Sequence, residues 1–223
     1  MGDYHLNIGT DEDLERARRE AAGVFPDRSG TDSVSARRAV FLDRDGTLIE
    51  HVHYLSDPAL VRLLPGVAEA LKRLHRAGFA RVLVTNQSAI GRGMLSEDRL
   101  DQIHAELDRQ LAAQGATIDA IYYCPDAPVD DDRTVVENPD RKPGPGMLLR
   151  AAADLKLDLS ASWMVGDLIS DVLAGLNAGC RSILVLSGQT SAADAEKFAE
   201  QTLIVPDLTG ALDLILEAKE VER

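Results

Sequence analysis

From about residue 38 to the end of the chain, short apolar runs alternate with longer segments in which apolar positions recur at a helical period. A short continuous run of apolar or β-branched residues is typical of a strand that is buried on both faces of a sheet. The runs predict five strands and a sixth at one edge, at residues 39–42, 81–85, 118–123, 162–165, 182–186 and 203–205.

The segments between these runs predict helices. Val67, Leu71 and Leu74 share one face of a helix that should stop at Gly78. Ser96 is placed to cap a second helix, whose apolar face is Leu100, Ile103, Leu107 and Leu111. Later helices are predicted at residues 171–179, 192–200 and 208–219. The alternation of strands and helices favours an α/β fold, with a doubly wound, Rossmann-like parallel sheet and right-handed crossovers.

Two segments interrupt this alternation. Residues 44–58 are too many for a simple strand-to-helix turn, and residues 125–146 contain five prolines and three consecutive aspartates without any helix or strand period. Neither segment is long enough to form a large cap domain. Both segments follow predicted strands, so we expect a binding site at the strand ends to be open to solvent. An open site suits substrates that themselves help to cover it.

The composition narrows the class of protein. A chain of 223 residues with 45% hydrophobic content can bury the core of one large α/β domain and an appendage. The net charge of −13 argues against nucleic acid as a partner. No apolar run approaches the roughly 20 residues that span a bilayer, and the acidic N-terminus has no signal-peptide character. These features predict a cytoplasmic protein without a membrane partner. Two cysteines are too few for a disulfide scaffold.

Polar motifs follow several of the apolar runs, where the carboxyl ends of parallel strands would form a ligand crevice. Each alone is typical of an acidic turn, a strand-ending turn, a solvated basic pair or a helix cap, but together their order favours one site. They resemble the four motifs of the haloacid dehalogenase superfamily of phosphohydrolases, in which the first aspartate is a nucleophile. The motifs are Asp43-Arg44-Asp45-Gly46-Thr47, residues 83–88, Arg141-Lys142-Pro143, and Gly166-Asp167 with Asp171.

Residue types at these positions suit phosphate ester hydrolysis. Asp43 would attack phosphorus and form an aspartyl-phosphate, which divides the reaction into two steps. Asp45 would protonate the leaving oxygen and then deprotonate the attacking water. Clustered carboxylates repel each other and phosphate, so a Mg²⁺ ion is expected, bound by Asp43, the Asp45 carbonyl and Asp167.

The other motif residues would bind the transferring phosphate. The Thr85 hydroxyl and the backbone N–H groups of the turn after it would donate to phosphate oxygens, and Lys142 would supply positive charge in the transition state. Asp171 would orient Lys142 or the metal shell rather than bind metal directly.

A narrower resemblance covers roughly residues 37 to 215. Residues 41–48, 85–93, 121–125, 141–143 and 145–148 closely resemble the heptose 1,7-bisphosphate phosphatases and the related histidinol-phosphate phosphatases, which lack a large cap. This resemblance implies that Arg141 recognises the phosphate that stays on the substrate. Substrate contacts are expected from Arg44, His51, His53, Tyr54, Asn86, Gln87, Ser88 and Arg141, although His51 and His53 could equally be surface residues of a flap.

The chain departs from that family's pattern in its long loop. Members commonly bind zinc there through Cys-x-His and Cys-x-Cys, where this chain has Cys124-x-Asp126 and Asn138-x-Asp140. Because only one thiol remains and Asn138 is a poor zinc ligand, we expect zinc to be absent. Leu168 also stands where members tend to have lysine.

Residues 1–36 are predicted to be an extension and linker that precede a phosphatase domain at 37–223. Residues 4–17 resemble a segment near the end of sugar-phosphate nucleotidyltransferases, which implies a transferase tail and association with such an enzyme. The local alternative is an ordinary acidic helix start, with Thr10 as N-cap and Asp13 three residues later.

The sequence thus predicts a Mg²⁺-dependent phosphatase of a small phosphorylated sugar. The family resemblance favours the 7-phosphate of heptose 1,7-bisphosphate, in the biosynthesis of nucleotide-activated heptose. Histidinol phosphate or another small phosphosugar is the alternative substrate. A non-catalytic domain that binds phosphate ligands or docks a transferase is an alternative of another class. Asp43, Asp45, Lys142 and Asp167 argue against it, because a binding module needs no nucleophile.

Overall fold

The computed structural model describes residues 36–130 and 132–221. The predicted extension, residues 1–36, lies outside the described residues except for residue 36. Its transferase-like segment, residues 4–17, lies wholly outside them. Six strands are present, all within one or two residues of the predicted positions: β1 (Ala39–Leu42), β2 (Ala80–Asn86), β3 (Ala120–Cys124), β4 (Trp163–Gly166), β5 (Arg181–Val185) and β6 (Leu203–Val205). They pair in parallel in the order β3-β2-β1-β4-β5-β6, which confirms the α/β fold.

The helices are α1 (Val67–Arg76), α2 (Ser88–Gly91), α3 (Glu97–Ala113), α4 (Gly146–Leu155), α5 (Ile169–Asn177), α6 (Ala192–Ala195) and α7 (Leu208–Val221), with 3-10 turns at Pro58–Leu60 and Glu196–Phe198. Ser96 caps α3 as predicted, since its side chain accepts a hydrogen bond from the Arg99 amide. The single helix predicted at 192–200 is instead α6 followed by a 3-10 turn. Within the described part of the chain, no helix is both long enough and apolar enough to cross a membrane.

Both faces of the sheet are covered. Val40 and Leu42 point to one face, where they pack with the apolar sides of α1, α3 and α7. Ala39 and Phe41 point to the other face, where they pack with α4 and α5. This alternation follows from the period of two along a strand, and it explains why β1 has no polar position.

The strand order reverses between β1 and β4, which are neighbours at the centre of the sheet although far apart in sequence. In open α/β sheets the ligand crevice lies outside the carboxyl ends of the strands at such a reversal. Two segments border this point. A flap, residues 44–66, lies between β1 and α1, and a long loop, residues 125–145, lies between β3 and α4. The described residues of both segments contain only one 3-10 turn, so neither forms a large cap.

Candidate active site

Carboxylates converge at the ends of the two central strands. Asp43 follows β1, and its amide donates to the Val165 carbonyl of β4 at 3.0 Å. Asp167 follows β4, and Asp171 lies in the first turn of α5. Asp43, Asp167 and Asp171 are buried, and each offers an oxygen within 4.8 Å of the others.

Lys142 lies in the middle of this acidic cluster. Its Nζ is 2.6 Å from Asp43 Oδ1 and 2.7 Å from Asp171 Oδ1, and it donates to the Val84 carbonyl at 2.8 Å. Three protons therefore have three acceptors. Burial alone would lower the pKa of Lys142, but Asp171 and Asp43 raise it above its ordinary value. Lys142 is thus a fixed positive charge, and Asp171, which was predicted to orient either Lys142 or the metal shell, is one of its two carboxylate partners.

The backbone around Lys142 is held by two asparagines. Asn86 Nδ2 donates to the Lys142 carbonyl at 2.9 Å, and the Lys142 amide donates back to Asn86 Oδ1 at 3.0 Å. Asn177, from α5, donates to the Pro143 carbonyl at 2.9 Å. Asn86 lines the cavity, but both ends of its amide contact Lys142, so its observed partner is the protein backbone rather than an open substrate position.

Arg44 also differs from the predicted substrate contact. Its side chain is 1% exposed, and its guanidinium contacts Asp45 Oδ2, Gln87 Oε1 and His104 Nε2 at 2.8, 3.1 and 3.3 Å. These contacts direct Arg44 to protein groups. Burial and the neighbouring Arg44 charge lower the pKa of His104 to about 4, so this histidine is neutral at pH 7.

Thr85 is buried at the end of β2. Its hydroxyl accepts a hydrogen bond from Gln87 Nε2 at 2.8 Å, which leaves its own proton available to a ligand. The backbone N–H groups of the turn after Thr85 were predicted to donate to phosphate. One of them, the Gln87 amide, donates instead to the Cys124 carbonyl at 2.7 Å. The turn therefore offers fewer free backbone donors than predicted.

The carboxylate cluster fits a divalent cation. Asp167 Oδ2 accepts from the Gln189 amide at 2.7 Å, whereas the buried Oδ1 has no hydrogen-bond partner among residues 36–130 and 132–221. Burial, together with Asp43 and Asp171, raises the pKa of Asp167 to about 8. Burial likewise raises the pKa of Asp43, with further contributions from Asp171 and Asp45 that Lys142 only partly offsets. A bound cation would remove this repulsion, and a donor set of oxygens alone suits Mg²⁺.

A cavity of about 250 Å³ opens beside this cluster. The flap contributes His51, His53 and Tyr54 to its lining, and the rings of His53 and Tyr54 are in contact at a tilt of 50°, with centroids 4.1 Å apart. Three arginines also line the cavity: Arg92, which follows α2, and Arg133 and Arg141 in the long loop. Burial lowers the pKa of Arg141, the nearby Cys124 and Glu137 raise it, and the charges of Arg133 and Arg92 lower it again. The three guanidinium groups offer positive charge to an anion, beside the Glu137 carboxylate that also lines the cavity.

The structure brings the predicted residues to one place. Every predicted catalytic and substrate-binding residue lines the cavity, and Asp167 lies beside Asp43 in the acidic cluster. Four residues of the site were not predicted from the sequence: Arg92, Arg133, His104 and Gln189. Arg92 belongs to the run 85–93 that resembles the family, so it could have been found there. His104 lies at the buried face of α3, where a lone histidine reads as part of the core.

The positions that hold zinc in the related family contact protein groups here. The Asn138 amide donates to the Asp126 carboxylate, Asp140 pairs with Arg150, and Cys124 is buried. These contacts connect the long loop to itself and to α4. The absence of zinc stays a prediction.

Comparisons with known proteins find relatives that match most of this chain. Residues 140–211 match the HAD-hydrolase-like family model. The chain is 41% identical over 169 residues to the D-glycero-beta-D-manno-heptose-1,7-bisphosphate 7-phosphatase of Pasteurella multocida, a match that covers 75% of this chain and 91% of that protein. It is 40% identical over 187 residues to the D-glycero-D-manno-heptose-1,7-bisphosphate 7-phosphatase of Thermosynechococcus vestitus, covering 80% and 95% of the two chains.

A solved structure is similar over the same region. The D,D-heptose 1,7-bisphosphate phosphatase of B. bronchiseptica, complexed with magnesium and phosphate, superposes with a TM-score of 0.68 at 32% identity. The match covers 81% of this chain and 99% of that one.

Proposed function

The chain belongs to the D-glycero-D-manno-heptose-1,7-bisphosphate 7-phosphatase family of HAD-like hydrolases, and on that basis we propose that it removes the 7-phosphate of heptose 1,7-bisphosphate in a Mg²⁺-dependent reaction. The observation that carries this proposal is the placement of a buried Asp43–Lys142 pair and three arginines around one cavity. A bisphosphate needs one place for the phosphate that is transferred and another for the phosphate that stays.

The residues around Asp43 divide the chemistry between them. Lys142 holds the Asp43 carboxylate in place and favours its ionised form, which is the form that attacks phosphorus. The Thr85 hydroxyl, already fixed by Gln87, donates to a phosphate oxygen. Asp45 gives a proton to the leaving oxygen and later takes one from water.

The metal would be held by Asp43, the Asp45 carbonyl and Asp167. When bound, Mg²⁺ neutralises the carboxylates and polarises the phosphoryl group for attack. Gln189 and the turn around Gly188 keep Asp167 in position for this role, since the Gln189 amide donates to Asp167 Oδ2.

The arginines distinguish a bisphosphate from a monophosphate. Arg141 donates one hydrogen bond from Nη1 to the Asp126 carbonyl at 2.8 Å, and its other N–H groups can bind phosphate oxygens, whereas the three protons of Lys142 already have acceptors. Arg133 and Arg92 add positive charge beside Arg141. The retained phosphate would bind here, with the sugar against the flap at His51, His53 and Tyr54.

A substrate panel tests this assignment. Purified protein with Mg²⁺ should hydrolyse heptose 1,7-bisphosphate at the 7-position with a much higher kcat/KM than histidinol phosphate. Arg141→Ala should lower kcat/KM for the bisphosphate by about tenfold or more, the range expected for a charge-assisted contact of roughly 1.5–3 kcal/mol. It should change activity on a simple sugar monophosphate less.

Arg109→Ala is the matched control, because Arg109 is an exposed arginine of α3 whose guanidinium pairs with Glu106 on the same helix and does not line the cavity. It should leave both activities unchanged. A better rate with histidinol phosphate, or an equal loss on both substrates in Arg141→Ala, would refute the heptose assignment and leave only the phosphatase class. Association with a sugar nucleotidyltransferase through residues 4–17 stays a separate prediction, which co-purification with such an enzyme would test.

A further inference from the structure

The two carboxylate oxygens of Asp45 have different surroundings. Oδ2 accepts hydrogen bonds from Arg44 and from Gln87, with Arg44 Nη2 at 2.8 Å, Arg44 Nε at 3.0 Å and Gln87 Nε2 at 3.4 Å. Oδ1 has no hydrogen-bond partner within the described ranges. One oxygen is therefore anchored to the protein, and the other keeps its full bonding capacity.

The group that anchors Asp45 is itself fixed. Arg44 is 1% exposed, which makes it one of the largest fully buried side chains. Its Nη2 also donates to Gln87 Oε1 at 3.1 Å, and its Nη1 lies 3.3 Å from His104 Nε2. A guanidinium can only donate, so Nε2 of His104 must accept and the imidazole proton must lie on Nδ1. His104 is a buried residue of α3.

The same network reaches the phosphate side. Gln87 Nε2 lies between Thr85 Oγ1 at 2.8 Å and Asp45 Oδ2 at 3.4 Å. One amide thus contacts both a phosphate donor and the acid/base carboxylate. Moving Arg44 would free Gln87 Oε1 and Asp45 together.

We propose that Arg44, supported by Gln87 and His104, is a positioning residue that holds the Asp45 carboxylate for proton transfer. The inference rests on the proposed phosphatase function. In the first step a proton passes from Asp45 to the leaving oxygen as the oxygen–phosphorus bond breaks and the Asp43–phosphorus bond forms. In the second step Asp45 takes a proton from the water that attacks phosphorus, and the Asp43–phosphorus bond breaks.

The leaving group of the substrate provides the test. An alkoxide needs a proton to leave, whereas 4-nitrophenolate leaves without one. We therefore expect Arg44→Met and His104→Leu to lower kcat/KM for alkyl phosphates about tenfold to a hundredfold, part of the roughly 10²–10⁴-fold that a positioned acid contributes. The loss on 4-nitrophenyl phosphate should be no more than a few-fold. Because kcat/KM reports the first step, slow hydrolysis of the aspartyl-phosphate does not mask the difference.

A conservative variant separates positioning from packing. His104→Gln keeps an acceptor for Arg44 and should recover most of the activity on alkyl phosphates that His104→Leu loses. Thermal unfolding establishes that each variant is folded, and since the two substitutions lie on different elements, either one alone can decide the question.

Equal losses on alkyl and aryl phosphates in the folded variants, or no rescue by His104→Gln, would overturn the inference while the phosphatase assignment stands. If the wild-type protein with Mg²⁺ hydrolyses neither class of phosphate, the proposed function itself fails.

Discussion

At the scale of single residues, Asp43 bears the largest share of the proposed reaction. Asp43→Asn should abolish steady-state turnover, because an amide of similar shape cannot attack phosphorus. The fold should survive, since Lys142 keeps Asp171 and the Val84 carbonyl as partners. Phosphate release and thermal unfolding of the purified variant measure the two effects.

Asp101→Asn is a suitable control for this variant because Asp101 is an exposed residue of α3 away from the cavity. It should behave as the wild type. Appreciable turnover by pure Asp43→Asn protein would contradict the nucleophile assignment.

The residues that converge on the cavity could be predicted singly, but their supporting contacts could not. Asp43, Lys142 and Asp167 follow from strand ends and loop motifs, because parallel strands end at one edge of a sheet. The Arg44–His104 contact joins residues 60 positions apart. Nothing in the local pattern of α3 shows that His104 faces a buried arginine, since a histidine on an apolar helix face is usually part of the core. Tertiary packing alone brings these two side chains together.

At the scale of elements, the strands were easier to predict than the helices. Both sides of each central strand are buried, so the strand leaves a continuous apolar run. Helix α4 was missed because it begins at Pro145 and Gly146, which read as a turn. Gly146 is needed there, since a Cβ at this position would lie 2.1 Å from Asp140 Oδ1 and 2.7 Å from the Pro139 carbonyl oxygen. The long loop thus requires a glycine at the first position of α4, and a glycine after a proline predicts a turn rather than a helix start.

The turn after β5 provides a prediction at this scale. A Cβ at Gly188 would lie 2.0 Å from Asp167 Oδ2, so Gly188→Ala must displace the carboxylate or the turn. We expect weaker Mg²⁺ binding, lower kcat and a loss of about 1–3 kcal/mol in the free energy of unfolding, the usual cost of overpacking. Calorimetric titration with Mg²⁺ and chemical denaturation measure these effects.

Gly210→Ala, in α7, is the matched control for Gly188→Ala. Its Cβ would lie 3.4 Å from the nearest atom, Val205 Cβ, in ordinary contact, and alanine is the better helix former. This variant should bind Mg²⁺ as the wild type does and be as stable or slightly more so. Wild-type Mg²⁺ affinity in Gly188→Ala would show that the turn does not position Asp167.

At the scale of the whole molecule, the acidic cluster links the stability of the domain to metal and pH. The pKa of Asp167 is raised to about 8 in the metal-free fold, well above the ordinary value of an aspartate in the unfolded chain. Between these two pKa values the folded protein holds a proton on Asp167 and the unfolded chain does not. Between pH 8 and about pH 4, metal-free stability from this group should therefore increase as the pH falls. Mg²⁺ competes with those protons, so its binding should weaken over the same range.

Thermal unfolding with and without Mg²⁺ tests this linkage. At a Mg²⁺ concentration about 100 times Kd, binding should add roughly 2.7 kcal/mol to the free energy of unfolding. The rise in Tm should be larger at pH 8 than at pH 6, and EDTA should abolish both the rise and the turnover. An equal rise at both pH values would show that protonation of the cluster does not oppose metal binding.

The flap between β1 and α1 is a position at which additional residues can be inserted while the carboxylates at the strand ends stay in place. The Glu50 amide donates to the Arg62 carbonyl and the Leu64 amide to the Leu48 carbonyl, so both ends of the flap are tied together below its tip. Ser56 and Asp57 are exposed between these two ties, and Arg99 of α3 contacts both. Each doubling of a flexible loop costs only about 0.6 kcal/mol. A lid inserted here would change which molecules are admitted, while Asp43 and Asp167 stay in place at the strand ends.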